Sequence, residues 1–139
     1  MRIAGLFTLL LSSLVLHAQQ PSPQISKVGV IPTSPASGKE MFRSYCAACH
    51  GPDGKGNGPA APALKKPPTD LTLLAKKEGG KYPALRVTSS IKDGSPTGHG
   101  SKDMPVWGPL LLSASSDDPG VLDQRIANLV GYIKTLQAK

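Results

Sequence analysis

Between Ser44 and Gly51 the chain reads SYCAACHG, a run that holds both of its cysteines and one of its three histidines. Cys46 and Cys49 are three residues apart, and His50 follows directly. Residues at that separation share a face of a helical turn, so two sulfurs can reach the two vinyl groups on one porphyrin edge while the adjacent imidazole points at the iron. The C-x-x-C-H form is the one that attaches c-type haem, with each thiol becoming a thioether and His50 serving as the proximal ligand.

Three other chemistries compete for these residues. A redox dithiol of the thioredoxin type opens a helix that follows a strand, whereas here a helix pattern precedes the cysteines. A structural zinc needs four side-chain ligands, and no second Cys or His pair stands nearby. A disulfide across so small a loop would stabilise little.

An iron that only carries electrons needs a sixth ligand. Met1 lies in the predicted signal peptide, and Met41 sits just ahead of the cysteines. Met104 remains, in MPVWG (Met104 to Gly108), 54 residues beyond His50, where a proline stiffens the backbone. His99 is the rival, and bis-histidine ligation would lower the reduction potential, because a soft thioether favours the reduced metal. Two roles fit Trp107, the single tryptophan: covering a haem edge with its N–H toward a propionate, or ordinary packing.

The elements that must position these groups read as helices. Ser37 with Glu40 forms a capping box ahead of Met41, Phe42 and Tyr45, and this helix runs into the cysteines. Residues 51–68 hold four glycines and five prolines and must be an irregular loop. Short helices are predicted over 70–77, capped by Thr69 or Asp70, and over 83–92, with Pro83 in the first turn and Gly94 as the stop. The clearest helix begins at Asp118 and Pro119 and places Leu122, Ile126, Leu129, Val130, Ile133 and Leu136 on one face. No stretch alternates as a strand would, so the expected class is all-α with long loops. Only 4% of residues are aromatic and Gly and Pro number 15 and 14, so something other than side chains is expected to fill the centre.

Residues 1–18 read as a secretory signal peptide: Arg2, a 14-residue apolar run from Ile3 to Leu16, then polar sequence. The run is shorter than a membrane span requires, so no stable span is expected after cleavage near Ala18. A Pro-rich flexible arm over 19–36 and a single domain over 37–139 complete the organisation. The formal charge of +7 falls to +6 with loss of Arg2, which suits steering toward acidic partners. Lys65, Lys66, Lys76, Lys77 and Lys81 lack interleaved aromatics, so nucleic-acid binding is not expected. The run DGKGNG fails as a calcium loop, because Lys55 stands at its third position and Leu64 at its twelfth.

CAACHG and MPVWG at this distance resemble the small class I cytochromes c of bacteria, and the likeness covers about Ser37 to Leu136. The resemblance implies four to five helices wrapped around one covalently bound haem c, with the first and last helices crossing. Gly38 with Phe42, and Leu129 with Tyr132, look like the crossing pairs. It also implies that a proline carbonyl, of Pro59 or Pro62, accepts the other N–H of the ligand histidine. PPTDLT, Pro67 to Thr72, resembles exported single-haem cytochromes of respiratory chains.

The function this supports is a periplasmic or secreted one-electron carrier, not an enzyme, with His50 and Met104 as axial ligands. Its donor and acceptor would be redox proteins with acidic docking surfaces. The alternatives are a haem enzyme or gas sensor with an open or His99-ligated iron, and an electron-transfer subunit of a larger complex.

Overall fold

The computed structural model of the chain describes residues 30–94 and 104–139. The predicted signal peptide, the first part of the arm and His99 lie outside these residues. Every regular element among the described residues is helical. They are α1 (Gly38–Met41), a π-helical turn (Phe42–Cys46), α2 (Ala47–His50), α3 (Leu74–Lys77), α4 (Ala84–Asp93), α5 (Trp107–Ser113) and α6 (Pro119–Thr135), with short 3-10 turns at Ala61–Ala63 and Leu71–Leu73. Residues 38–50 form one continuous helical stretch, so the all-α expectation holds.

Ser37 starts that stretch by accepting the Glu40 N–H at 3.2 Å. The reciprocal half of the predicted capping box differs, since the Glu40 carboxylate accepts from Ser34 N–H instead. The preceding turn, closed by Ser37 N–H on the Ser34 carbonyl, has already used the donor a capping box would offer. The π turn arises where Ala47 N–H reaches back five residues to the Phe42 carbonyl. It inserts one extra residue immediately ahead of the CAACH segment, a placement common beside functional sites.

α6 is the platform. Asp118 caps it, accepting from Gly120 N–H at 2.8 Å and Val121 N–H at 3.3 Å. Pro119 follows at the first helical position, where its missing N–H costs nothing. Leu122, Ile126, Leu129, Val130 and Ile133 turn inward onto Met41, Phe42, Val87, Ile91 and Leu111. α1 crosses α6 at Gly38, where a Cβ would overlap the Asn128 carbonyl, and Phe42 and Tyr132 meet beside it with ring centroids 5.4 Å apart. Of the crossing pairs the resemblance implied, Gly38, Phe42 and Tyr132 meet at the crossing, and Leu129 is buried in the core.

Two expectations shift. α4 begins at Ala84, with Pro83 as the residue before it, and α5 is an addition to the helices the sequence predicts. Gly108 and Pro109 look like breakers in its sequence, yet Pro109 occupies the first turn, where a proline is tolerated.

The end of the predicted arm is docked. Thr33 is buried, its carbonyl and hydroxyl both accept from Arg125 Nη1 at 2.9 and 3.0 Å, and the Pro35 carbonyl accepts from Asn128 Nδ2 at 2.9 Å.

Candidate haem site

α2 carries the opening motif, and the loop after it folds back over its end. Gly58 N–H donates to the Cys49 carbonyl at 3.1 Å, Ala60 N–H to Ala48 at 2.8 Å, and Gly56 N–H to His50 at 2.7 Å. These bonds satisfy carbonyls that a helix end leaves without partners. The approach is so close that a Cβ on Gly58 would overlap the carbonyl oxygens of Ala47 and Ala48. Leu71 N–H then closes onto the Gly54 carbonyl at 2.7 Å, bringing residues 68–71 back across the motif.

That return sets the chemistry of His50. Its Nδ1 lies 3.0 Å from the Thr69 carbonyl oxygen. A carbonyl can only accept, so Nδ1 carries the hydrogen and the Nε2 lone pair is left for a metal. The family resemblance implied a proline carbonyl, of Pro59 or Pro62, for this task. Pro62 instead stands exposed in the 3-10 turn, and Pro59 is exposed as well. The loop spends its proline-rich part on the fold-back, and only its returning segment, from Pro68 on, reaches the imidazole. His50 is buried, and that burial lowers its pKa, opposed in part by the Thr69 bond.

A cavity of about 240 Å³ opens beside the imidazole. Cys46, His50 and Met104 all face it, with Leu71, Leu74, Val87, Ile91 and Ile133 as apolar walls. Thr69, Ser90, Lys77 and Arg86 supply its polar groups. Residues from α2, α3, α4 and α6 thus converge on one space with Met104, 54 positions from His50 in sequence. The donor set fits haem c: the Cys46 thiol and the His50 imidazole in the wall, with Cys49 half-buried just outside it, a thioether in the same wall, an apolar lining for the macrocycle and cations suited to its carboxylates. Among the described residues no cluster of three or more His, Cys, Asp or Glu side chains could hold a metal without it.

Cys46 and Cys49 are half-buried and unbridged. Burial, with Cys49 adding to it, pushes the Cys46 thiol up to about 12. A thiol so firmly protonated lacks the depressed pKa of a redox dithiol.

The remaining site expectations separate. Trp107 is not in the cavity wall; its ring stacks on Tyr45, with centroids 5.4 Å apart and 28° between planes. Sequence reasoning missed Thr69 and Arg125. Thr69 acts through its backbone, which no side-chain pattern announces. Arg125 falls between Leu122 and Leu129 on the apolar face of α6, and a charge there is the signal of a buried cation.

The family whose description is "Cytochrome c" matches residues 35–137. Cytochrome c-554(547) of Halothiobacillus neapolitanus is 28% identical over 104 residues, which span 73% of this chain and 96% of the relative. No solved structure matches. With the motif, the helical fold and the cavity agreeing with that family, the chain belongs to the cytochrome c family: an electron-carrying protein whose haem c is attached through Cys46 and Cys49.

Proposed function

We propose that the protein is an exported, periplasmic one-electron carrier whose iron is held axially by His50 and Met104. The observation that carries this reading is the meeting of Met104 with His50 and Cys46 around one cavity. When bound, haem c supplies an iron that gains and loses one electron reversibly.

Every other part of the work falls to the chain. Cys46 and Cys49 anchor the macrocycle, and the Thr69 carbonyl fixes the ring of His50 and raises its donor strength. Leu71, Leu74, Val87, Ile91 and Ile133 exclude water, so few dipoles need to reorient when the charge changes. Lys77 and Arg86 are placed to meet the propionates. Arg86 is shared with Glu78, at 2.5 Å. Lys76, Lys77 and Lys81 are exposed, Lys77 at the cavity itself, and suit steering of acidic redox proteins, a rate effect that salt would screen. Residues 1–18 serve as the export signal in this reading, and among the described residues no helix is long and apolar enough to cross a membrane.

Met104→Ala tests the ligand assignment. Oxidised parent protein should show a sulfur-to-iron charge-transfer band that the variant lacks, and the variant should have a lower potential and bind carbon monoxide when reduced. A high-spin parent that already binds carbon monoxide would favour an open-iron enzyme or sensor instead.

A further inference from the structure

Met104 and the CAACH segment are far apart in sequence, and the thioether is a weak ligand that a small displacement of its segment would detach. Some contact must therefore hold the two ligand-bearing segments in register. Tyr45, directly before Cys46, stacks on Trp107, which opens α5 three residues after Met104. Phe42 with Tyr132, by contrast, joins the π-helical turn to α6.

Tyr45 is itself fixed from the opposite side. Its hydroxyl donates to the Ile31 carbonyl at 2.5 Å and lies 2.7 Å from Thr33 Oγ1. The phenol has one hydrogen, and the Ile31 carbonyl can only accept, so that hydrogen goes to Ile31. The Thr33 hydroxyl then donates to Tyr45 while accepting from Arg125 Nη1 at 3.0 Å. Arg125 completes the set by donating to Ser115 Oγ and to the Ala114 carbonyl, both at 3.0 Å. The hydrogen bonds run in one direction: Arg125 to Thr33, Thr33 to Tyr45, Tyr45 to Ile31. Packing alone would use the face of the Tyr45 ring and would need neither bond at its tip.

We propose that Tyr45 is a positioning residue for Met104, acting through Trp107, with residues 31–33 as the strap that locks it. The inference rests on the reading of Met104 as iron ligand. It assigns a role to the end of the N-terminal arm, which keeps the sixth ligand in place against competitors although it lines no part of the cavity.

The test is imidazole titration of the oxidised holoprotein, followed by absorbance, in the parent and in Tyr45→Phe, Thr33→Val and Trp107→Leu. Near-ultraviolet circular dichroism reports on Trp107 in every form that retains it, since it is the single tryptophan. Tyr45→Phe and Thr33→Val should keep the charge-transfer band but bind imidazole about three- to tenfold more tightly, part of the two hydrogen bonds each variant loses being passed on to the Met104 segment. Trp107→Leu should exceed both. Asp118→Ala, which removes a carboxylate that accepts from Gly120 and Val121 N–H at the start of α6, serves as control and should leave imidazole affinity unchanged while lowering the unfolding midpoint. If it raised the affinity as much as Tyr45→Phe does, the effect would be one of global stability and the proposal would fall. A parent with the band, and Tyr45 and Thr33 variants with parental affinity, would overturn the inference alone. A parent without the band would remove the Met104 reading and this inference with it.

Discussion

Gly38 and Asn128 touch backbone to backbone. A Cβ on Gly38 would overlap the Asn128 carbonyl and come within 2.9 Å of Tyr132 Cβ. Neither neighbour can yield, because both belong to the α6 backbone or its first side-chain atom. Gly38→Ala should therefore push α1 away from α6 and cost about 3 kcal/mol, at the upper end of overpacking. Denaturant unfolding of the holoprotein measures this, and a loss under about 1 kcal/mol, the usual gain or loss of a tolerated Gly to Ala change, would mean that the helices do not cross this closely.

Arg125 is only 4% exposed, and among the described residues its partners are carbonyls and hydroxyls rather than carboxylates. Its charge is satisfied by carbonyls and hydroxyls from the arm and from the residues before α6. Arg125→Ala would leave those acceptors unpaired and should cost about 3 kcal/mol, as for hydrogen bonds to a charged group. Arg125→Lys should recover only a fraction, since a single ammonium cannot reproduce the fork. Equal stability of the Lys variant and the parent would contradict the network.

Tyr82 donates to the Val130 carbonyl at 3.1 Å, and burial raises its pKa from 10.0 to about 12. The folded state thus favours the neutral phenol more than the unfolded state does. Its contribution is complete below the unfolded value and is lost as pH rises from 10 through 12. Tyr82→Phe should cost about 1 kcal/mol at neutral pH. Across the alkaline window the parent should lose stability faster than the variant. Urea unfolding of both at several pH values checks this, and parallel curves would show that Tyr82 ionises as it does in the unfolded chain.

The features legible in the sequence were those written in side-chain types. CAACH announced its cofactor, Asp118 and Pro119 announced α6, and the apolar spacing from Leu122 to Ile133 announced its buried face. The features that escaped depend on backbone or on tertiary context. The Thr69 carbonyl outcompetes any proline because the chain's return path, tied by Leu71 to Gly54, brings it to His50. α5 was hidden because Pro109 breaks a helix in its interior but not in its first turn. The docked residues 30–36 read as linker because their proline content says nothing about Arg125, 92 residues from Thr33 in sequence.

The central claim is that haem is bonded to this polypeptide through Cys46 and Cys49. Intact mass of the chain, produced with cytochrome maturation machinery and denatured in acid, tests it most directly. The mass should equal that of the mature polypeptide plus one haem, and should lose that increment when both cysteines are replaced by serine. A chain that weighs no more than the bare polypeptide under these conditions would contradict the account.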